Sequence, residues 1–305
     1  LALTTDPLSL IPAIGAGRSA RLAAHLVASD LWTTGIPPAY ASVSLQLPAS
    51  LDDATLREYS SALSEAWREL EVAVVTGHTG RYAGLDSTII GAATLLGVGD
   101  EGRYVTPSMI APGDRVIVTK GCAIEATAIA AWLMPERLAR HVEPEGVQRA
   151  RALLDRVSVV NDCRALTRIG VRDRGVSTMH DATEGGVLGG LLELAHASGH
   201  DLRIERARIP LSDEARAACE AWGGIDPCWT LSEGTLLATI RPAHLRAALD
   251  ALAEEGIVAA EIGEVMSGRG VLHLTDADGQ ITKITEPEPD PYWPAYERAV
   301  REGWR

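Results

Sequence analysis

Ser177-Thr178-Met179-His180-Asp181-Ala182-Thr183-Glu184-Gly185-Gly186 runs directly into the apolar stretch Val187-Leu188-Gly189-Gly190-Leu191-Leu192-Glu193-Leu194-Ala195. An ionisable cluster closed by two glycines and followed by an apolar run predicts a strand or loop end feeding a helix N-terminus. The first N–H groups of a helix have no intrahelical acceptor and the dipole lies behind them, which makes such a place a ready anion site. Glycine at 185 and 186 allows a ligand to approach the backbone closely.

Strands and helices alternate on both sides of this stretch. Residues 18–34 carry Ala20, Leu22, Ala23, Leu26 and Val27 as a helical stripe. Ser42 to Leu47 alternates like a half-buried strand that Pro48 stops. Asp52 or Asp53 caps a helix whose Leu56, Tyr59, Leu63, Trp67 and Leu70 recur at three- and four-residue spacing. Val72 to Val75 reads as a short buried strand ending at a Gly77-His78-Thr79-Gly80 turn, and Thr88 to Val98 as a glycine-interrupted strand. The stretch from Gly97 to Asp114 is rich in glycine, proline and charge and marks a domain boundary, set at 108/109. Beyond it, Arg115–Thr119, Thr235–Ile240 and Val271–Leu274 read as strands. Glu145–Val157, the run after Gly186, a segment capped by Ser212, and Pro242–Glu255 read as helices. Glu286 to Pro291 reads as a stiff exit loop. The class is α/β (α+β) in two domains, 1–108 and 109–305.

Composition bounds the function. A 305-residue chain with 46% hydrophobic residues has ample core for two domains. Phe is absent, so the core rests on Leu, Ile, Val and Ala. A net charge of −13 argues against nucleic acid and anionic membrane as partners, while a local backbone site for an anion is still compatible. Apolar runs fall short of the ~20 residues that span a bilayer. Cys122, Cys163, Cys219 and Cys228 form no CxxC pair, so reduced buried thiols in a cytoplasmic protein are expected, with a Cys219–Cys228 pairing across a turn as the alternative. The first residue is Leu1, already strand-like, and an N-terminal segment ahead of it is expected.

Walker A, dinucleotide, nucleophile-elbow and HExxH signatures are missing. What stands out instead is acids at segment ends: Asp6 after the first strand, Asp30 near the end of the first helix, and Asp86 past the glycine-rich turn. Hard cations such as Mg²⁺ take oxygen ligands, and one or two carboxylates shared with phosphates suffice. Taken singly, each acid reads as a cap or a solvated charge in preference to a metal ligand.

In order, Thr4-Thr5-Asp6, Val27-Ala28-Ser29-Asp30-Leu31, Gly77-His78-Thr79, Met179 to Gly186 and Ser232-Glu233-Gly234 resemble one superfamily. It groups aminoimidazole ribonucleotide (AIR) synthetase, the hydrogenase maturation protein HypE, selenophosphate synthetase and thiamine-monophosphate kinase, and the HypE-like branch looks most similar. The resemblance implies an N-terminal sheet that pairs with its twin in a dimeric β-barrel, hence a homodimer, and a C-terminal α/β sandwich. It implies ATP and Mg²⁺ as cofactors and a small-molecule substrate. Asp6 and Asp30 match metal- and phosphate-facing acids, Gly77, His78 and Thr79 a nucleotide-side motif, and Gly185 and Gly186 a phosphate-side turn. His180, Asp181 and Thr183 match the substrate-side loop, Glu233 the acid of a second motif, and Gly113-Asp114 a "GD" ahead of a strand. The implied reaction is phosphorylation of an amide-type or other oxygen, with Glu233, Asp181 or His180 as base or substrate orienter.

The chain departs from the pattern in places. His78 stands where the family has an acid, Glu184 where HypE has Arg, and Ser29 where it has Asn. Glu302-Gly303-Trp304-Arg305 does not match the cysteine-terminated tail of HypE, so HypE chemistry itself is not expected. These departures sustain an alternative, a non-catalytic nucleotide-binding or maturation-partner protein of the same fold. A transition-metal site shared by His78 and His180 is a remote third option, since the two fall in different expected domains.

Overall fold

The computed structural model describes residues 1–85 and 88–305 and divides them into two units, Leu1–Arg103 and Tyr104–Arg305. Asp86 lies outside the described residues. The first unit runs β1 (Ala2–Ser9), α1 (Ala16–Trp32), β2 (Tyr40–Pro48), α2 (Asp53–Glu69), β3 (Ala73–Tyr82) and β4 (Ile89–Gly97). Asp52 caps α2 as its sequence predicts: one carboxylate oxygen accepts from the N–H groups of Ala54 and Thr55, both at 2.9 Å. Tyr59, Leu63, Ala66 and Trp67 form its buried stripe. The four strands pair in the order β1-β4-β2-β3. Pro7 is tolerated inside β1 because that strand lies at a sheet edge.

Register assigns each residue of this sheet to a face, because partners directly across a ladder point the same way. Thr4↔Leu95 and Asp6↔Ala93, continued by Ala93↔Val43, place Thr4 and Asp6 on the covered face with Leu8, Leu95 and Val43. Leu3↔Leu96, Thr5↔Thr94 and Ser42↔Thr94 define the opposite face. Leu1, Leu3, Tyr40 and Ile89 are exposed, and Leu3 and Tyr40 lie on that open face.

Between Val72 and Gly80 the structure corrects the sequence reading. Instead of a short buried strand and a turn, β3 continues through Gly77-His78-Thr79-Gly80 and is almost wholly exposed. Its glycines serve close approach rather than turning: a Cβ on Gly77 would stand 2.7 Å from the Val43 carbonyl oxygen, and one on Gly80 2.8 Å from the Tyr82 hydroxyl.

The second unit runs β5 (Arg115–Thr119), α3 (Ile124–Leu133), α4 (Pro135–Leu138), α5 (Pro144–Ala152), α6 (Val160–Ile169), β6 (Val176–Ala182), α7 (Gly186–Ser198), β7 (Asp201–Glu205), α8 (Asp213–Ala221), β8 (Thr235–Ile240), α9 (Leu245–Glu254), β9 (Ala259–Met266), β10 (Leu272–Thr275), β11 (Ile281–Ile284) and α10 (Tyr292–Glu302). Its sheet order is β11-β10-β7-β9-β5-β8-β6, antiparallel except for β10 against β7. Ser212 caps α8 through Ala215 N–H at 3.1 Å, as its position predicts. Asp114 is a buried staple: both its oxygens accept from Arg241 at 2.8 and 2.9 Å, and one also accepts from Ser177 Oγ at 2.7 Å and Ala111 N at 3.0 Å. It thereby ties the entry to β5 to β6 and to the end of β8. The stretch expected as an exit loop ends in α10, and no described helix is long and apolar enough to cross a membrane.

Asp201 anchors the β9–β10 connection. One carboxylate oxygen accepts from the N–H groups of Arg269, Gly270 and Val271 at 2.8–3.1 Å, and the other meets His273 Nε2 at 2.9 Å. Burial alone would raise its pKa, but these donors hold it at about 2. A depressed carboxylate stabilises the fold above its unfolded pKa, so this contribution is lost as pH falls from about 4 toward 2. Asp201→Ala should cost about 3 kcal/mol in urea unfolding at neutral pH, since three N–H groups lose a charged acceptor. A loss below a few tenths of a kcal/mol would contradict the anchor.

Candidate functional site

In the first unit, Thr4 on β1 donates through Oγ1 to Asp30 Oδ2 at 2.9 Å. Asp6 lies two residues along the same strand, on the same face. The residues expected to meet a cation therefore gather where β1 crosses α1. Asp30 sits in the last helical turn, Ser29-Asp30-Leu31-Trp32, which carries no basic residue. Negative charge at a helix C-terminus opposes the macrodipole, and a bound cation would relieve that cost. Among the described residues no group of three His, Cys, Asp or Glu side chains could hold a metal alone. A pair of carboxylates completed by phosphate oxygens and water suits Mg²⁺, which keeps much of its hydration and binds few protein ligands. The donor set therefore fits Mg²⁺ bound with a nucleotide.

His78 is not brought to this pair within the unit. Its partner across the β2–β3 ladder is Ser44, opposite Ala92 of β4, which places it on the open face. It is also at the other edge of the sheet, three strand spacings or roughly 14 Å from β1. Its Nε2 lies 3.0 Å from the Tyr82 hydroxyl. Gly77 and Thr79, flanking it in the strand, face the covered side by the same register.

In the second unit, β6 delivers His180 and Asp181 to the sheet end and the chain turns through Thr183 to Gly186 into α7. The Ser232-Glu233-Gly234 turn comes to the same end: Ser232 N donates to Thr183 O at 3.3 Å, and Ala182 pairs with Thr235. Asp181 and Glu233, 4% and 8% exposed, are thus buried acids on adjoining segments. His180 lies against α7, where the absence of a side chain at Gly190 makes room: a Cβ there would stand 3.5 Å from the imidazole and 2.8 Å from Leu237. Its Nε2 meets Glu193 at 2.6 Å and its Nδ1 lies 3.7 Å from Asp181. Burial would depress its pKa, but the two carboxylates overcome this and raise it to about 9. At neutral pH the ring is an imidazolium held between two acids.

The glycine pair has a geometric cause. Gly185 and Gly186 both adopt positive φ, +77° and +61°. A Cβ on Gly186 would stand 2.6 Å from Thr230 O and 2.8 Å from Cys228 O. The N–H of Gly185, expected to face a ligand anion, donates to Asp290 Oδ2 at 2.9 Å. Asp290 Oδ1 accepts from Tyr292 N at 2.8 Å. Burial, with the nearby charge of Glu184, raises the Asp290 pKa. Sequence reasoning missed Asp290. Its signal is an Asp just ahead of a helical aromatic run, Tyr292-Trp293-Pro294-Ala295-Tyr296. Also missed was the buried pair of Lys120 Nζ with Asp162 Oδ2 at 2.8 Å, where Nζ donates as well to Ser158 O. His78 and His180 belong to different units.

Comparison with known proteins places these features in a family context. The N-terminal domain model of AIR synthase related proteins matches residues 1–98, and the C-terminal domain model matches residues 111–274. Carbamoyl dehydratase HypE of Bradyrhizobium diazoefficiens is 28% identical over 275 residues, covering 88% of this chain and 75% of that protein. The crystal structure of Escherichia coli HypE, a hydrogenase maturation protein, superposes with a TM-score of 0.80 at 24% identity, covering 95% of this chain and 86% of that one. A HypE structure in complex with ATP gives 0.75 at 22% identity, with the same coverage. At these identities the structural matches establish the fold.

A raised histidine pKa stabilises the fold below its unfolded value of about 6.5, and that stabilisation is lost as pH rises through about 9. Ring titration by NMR should give a midpoint near 9, and His180→Gln should flatten the alkaline fall in stability over that window. A midpoint at or below 7 would overturn the double-carboxylate assignment.

Proposed function

Because the chain belongs to the AIR synthase related family, we propose that it is an ATP-dependent enzyme that transfers a phosphoryl group to an oxygen of a small substrate. The observation that carries this reading is the Thr4–Asp30 hydrogen bond with Asp6 on the same face. It supports a role for Asp6 and Asp30 as oxygen ligands of the kind that hold Mg²⁺ beside nucleotide phosphates. The HypE structure solved with ATP supports nucleotide binding on this fold.

Asp6 and Asp30 would hold the metal, and Thr4 would orient Asp30. When bound, Mg-ATP supplies the transferable phosphoryl group and neutralises its charge. Asp181 and Glu233 would orient the substrate's nucleophilic oxygen and accept its proton, with His180 supplying a fixed positive charge beside Asp181. Glu184 and Asp290 add negative charge at the head of α7. The loop thus favours a neutral or cationic substrate group, such as an amide, over an anionic one. Leu3 and Tyr40 on the open face of the four-stranded sheet would pack against the same face of a second copy, making a homodimer. The non-catalytic alternative draws support from one contact: Asp290 already uses the Gly185 N–H.

Calorimetry should detect ATP binding that requires Mg²⁺, with Asp30→Asn weakening it at least tenfold, about 1.4 kcal/mol. ADP release above background, lost in Glu233→Ala, separates enzyme from binding protein. A wild-type chain that binds no ATP with or without Mg²⁺ sinks the reading. Independently, light scattering should give a dimer that Leu3→Arg converts to monomer, and a wild-type monomer at all concentrations would remove the pairing.

A further inference from the structure

All four cysteines are free and buried. The sulfur in contact with Cys228 is that of Cys122, not that of Cys219 as a pairing across a turn would have it: the two Sγ atoms lie 3.7 Å apart, with 106 residues between them in sequence. We propose that Cys122 and Cys228 form an oxidative modification site, closing to a reversible intramolecular disulfide when the chain meets a peroxide.

The backbone on each side is built to present a sulfur. Cys122 sits in a turn after β5 where Lys120, Gly121 and Ala123 all take positive φ, at +60°, +106° and +56°. Non-glycine residues hold that conformation only where their surroundings over-determine it. Here Ala123 N donates to Ser232 Oγ at 2.7 Å, Thr235 Oγ1 donates to Gly121 O at 2.5 Å, and Cys122 N donates to Pro210 O at 3.2 Å. Cys228 lies in a single turn, Pro227–Trp229, opened by Asp226, whose Oδ1 accepts Cys228 N–H at 2.9 Å. Asp226 is held by Arg206 at 2.5 Å, and its carbonyl accepts from Thr230 Oγ1 at 2.6 Å. Both backbones are thereby pinned, and rotation of the two side chains would have to carry the sulfurs from 3.7 Å to bonding distance.

The two thiols are unequal. The contact with Cys122 lowers the pKa of Cys228 against the opposing effect of burial, and the nearby Arg206 charge adds to the lowering. The same contact, with burial, pushes the Cys122 thiol well up. Cys228, the more exposed of the two at 6% against 1% and the one beside the Arg206 charge, is the nucleophile and Cys122 the resolving thiol. The Cys228 thiolate attacks one oxygen of hydrogen peroxide: an S–O bond forms, the O–O bond breaks and hydroxide leaves. Cys122 then attacks the Cys228 sulfenic sulfur: the S–S bond forms, the S–O bond breaks, and the thiol proton leaves with hydroxide as water. In sum, two thiols and one peroxide give one disulfide and two waters, with two electrons passing from sulfur to oxygen. Peroxide is small and uncharged, and Cys228 keeps 6% of its surface exposed. The bond joins the turn after β5 to the segment that carries Glu233 and packs on Gly186.

The test is peroxide treatment of the whole chain, followed by thiol titration under denaturing conditions and peptide mapping. Titratable thiols should fall from four to two, the linked peptides should contain Cys122 and Cys228, and dithiothreitol should restore all four. In Cys122→Ser the link should be lost and Cys228 should progress to sulfinic acid. Four unchanged thiols, a link through Cys219 or Cys163, or a link between two molecules would each overturn the assignment. The wild-type map decides it even where the serine variant fails to fold.

Discussion

The contact between Gly186 and the backbone of Cys228 and Thr230 is the constraint on which the second unit's site depends. A Cβ at position 186 would stand 2.6–2.8 Å from those backbone atoms, which leaves no room for any residue but glycine. That closeness sets the start of α7 against the 226–234 segment, and Ser232 N–H bonding to Thr183 completes the junction. Asp181 and Glu233 are carried on the two segments so joined. Both are buried, and the segments that carry them are joined by main-chain geometry. Gly190 extends the same logic one turn later, since its bare helix face admits the Leu237 side chain, which a Cβ would approach to 2.8 Å.

Charge follows from this packing. Buried carboxylates are costly unless paired or hydrogen-bonded, and the second unit meets that cost by different means at different places. Asp114 has one arginine nitrogen shared between both its oxygens, Asp201 has three N–H groups and a histidine, and Asp162 has Lys120. His180 reverses the arrangement, with one cation serving Glu193 and Asp181. Asp290 reaches the α7 N-terminus across 105 residues and contributes the negative charge that the dipole favours there.

What the sequence discloses is what is local. Asp52 and Ser212 cap their helices where a short polar side chain precedes an apolar stripe, and β8 shows no alternation with charged residues because all six of its residues are buried. By contrast, α3 is buried nearly all round and shows no amphipathic period to read. Gly77 and Gly80 look like a turn because glycine signals both turning and close approach, and only the neighbouring strand decides which. The motifs of the site were legible as an ordered set, but their partners were not. Thr4 with Asp30, Cys122 with Cys228 and Gly185 with Asp290 are long-range pairings for which local pattern carries no information.

The first unit shows how a two-residue period separates two duties on one strand. Even positions of β1 send Thr4, Asp6 and Leu8 toward the covered face, and odd positions send Leu3 and Thr5 to the open one. A slip of one residue against β4 would exchange the two sets completely. It would also expose Leu8 and drive Leu3 and Thr5 beneath the helices, so burial of Leu8, Ala93 and Leu95 holds the register that points Thr4 and Asp6 to the face covered by α1, which carries Asp30. His78 obeys the same rule from β3. Whatever it contributes, it contributes on the open face, and the loss of an acid at that position leaves the Asp6–Asp30 pair of its own unit untouched. Within the first unit, position 78 therefore lies on the face opposite Asp6.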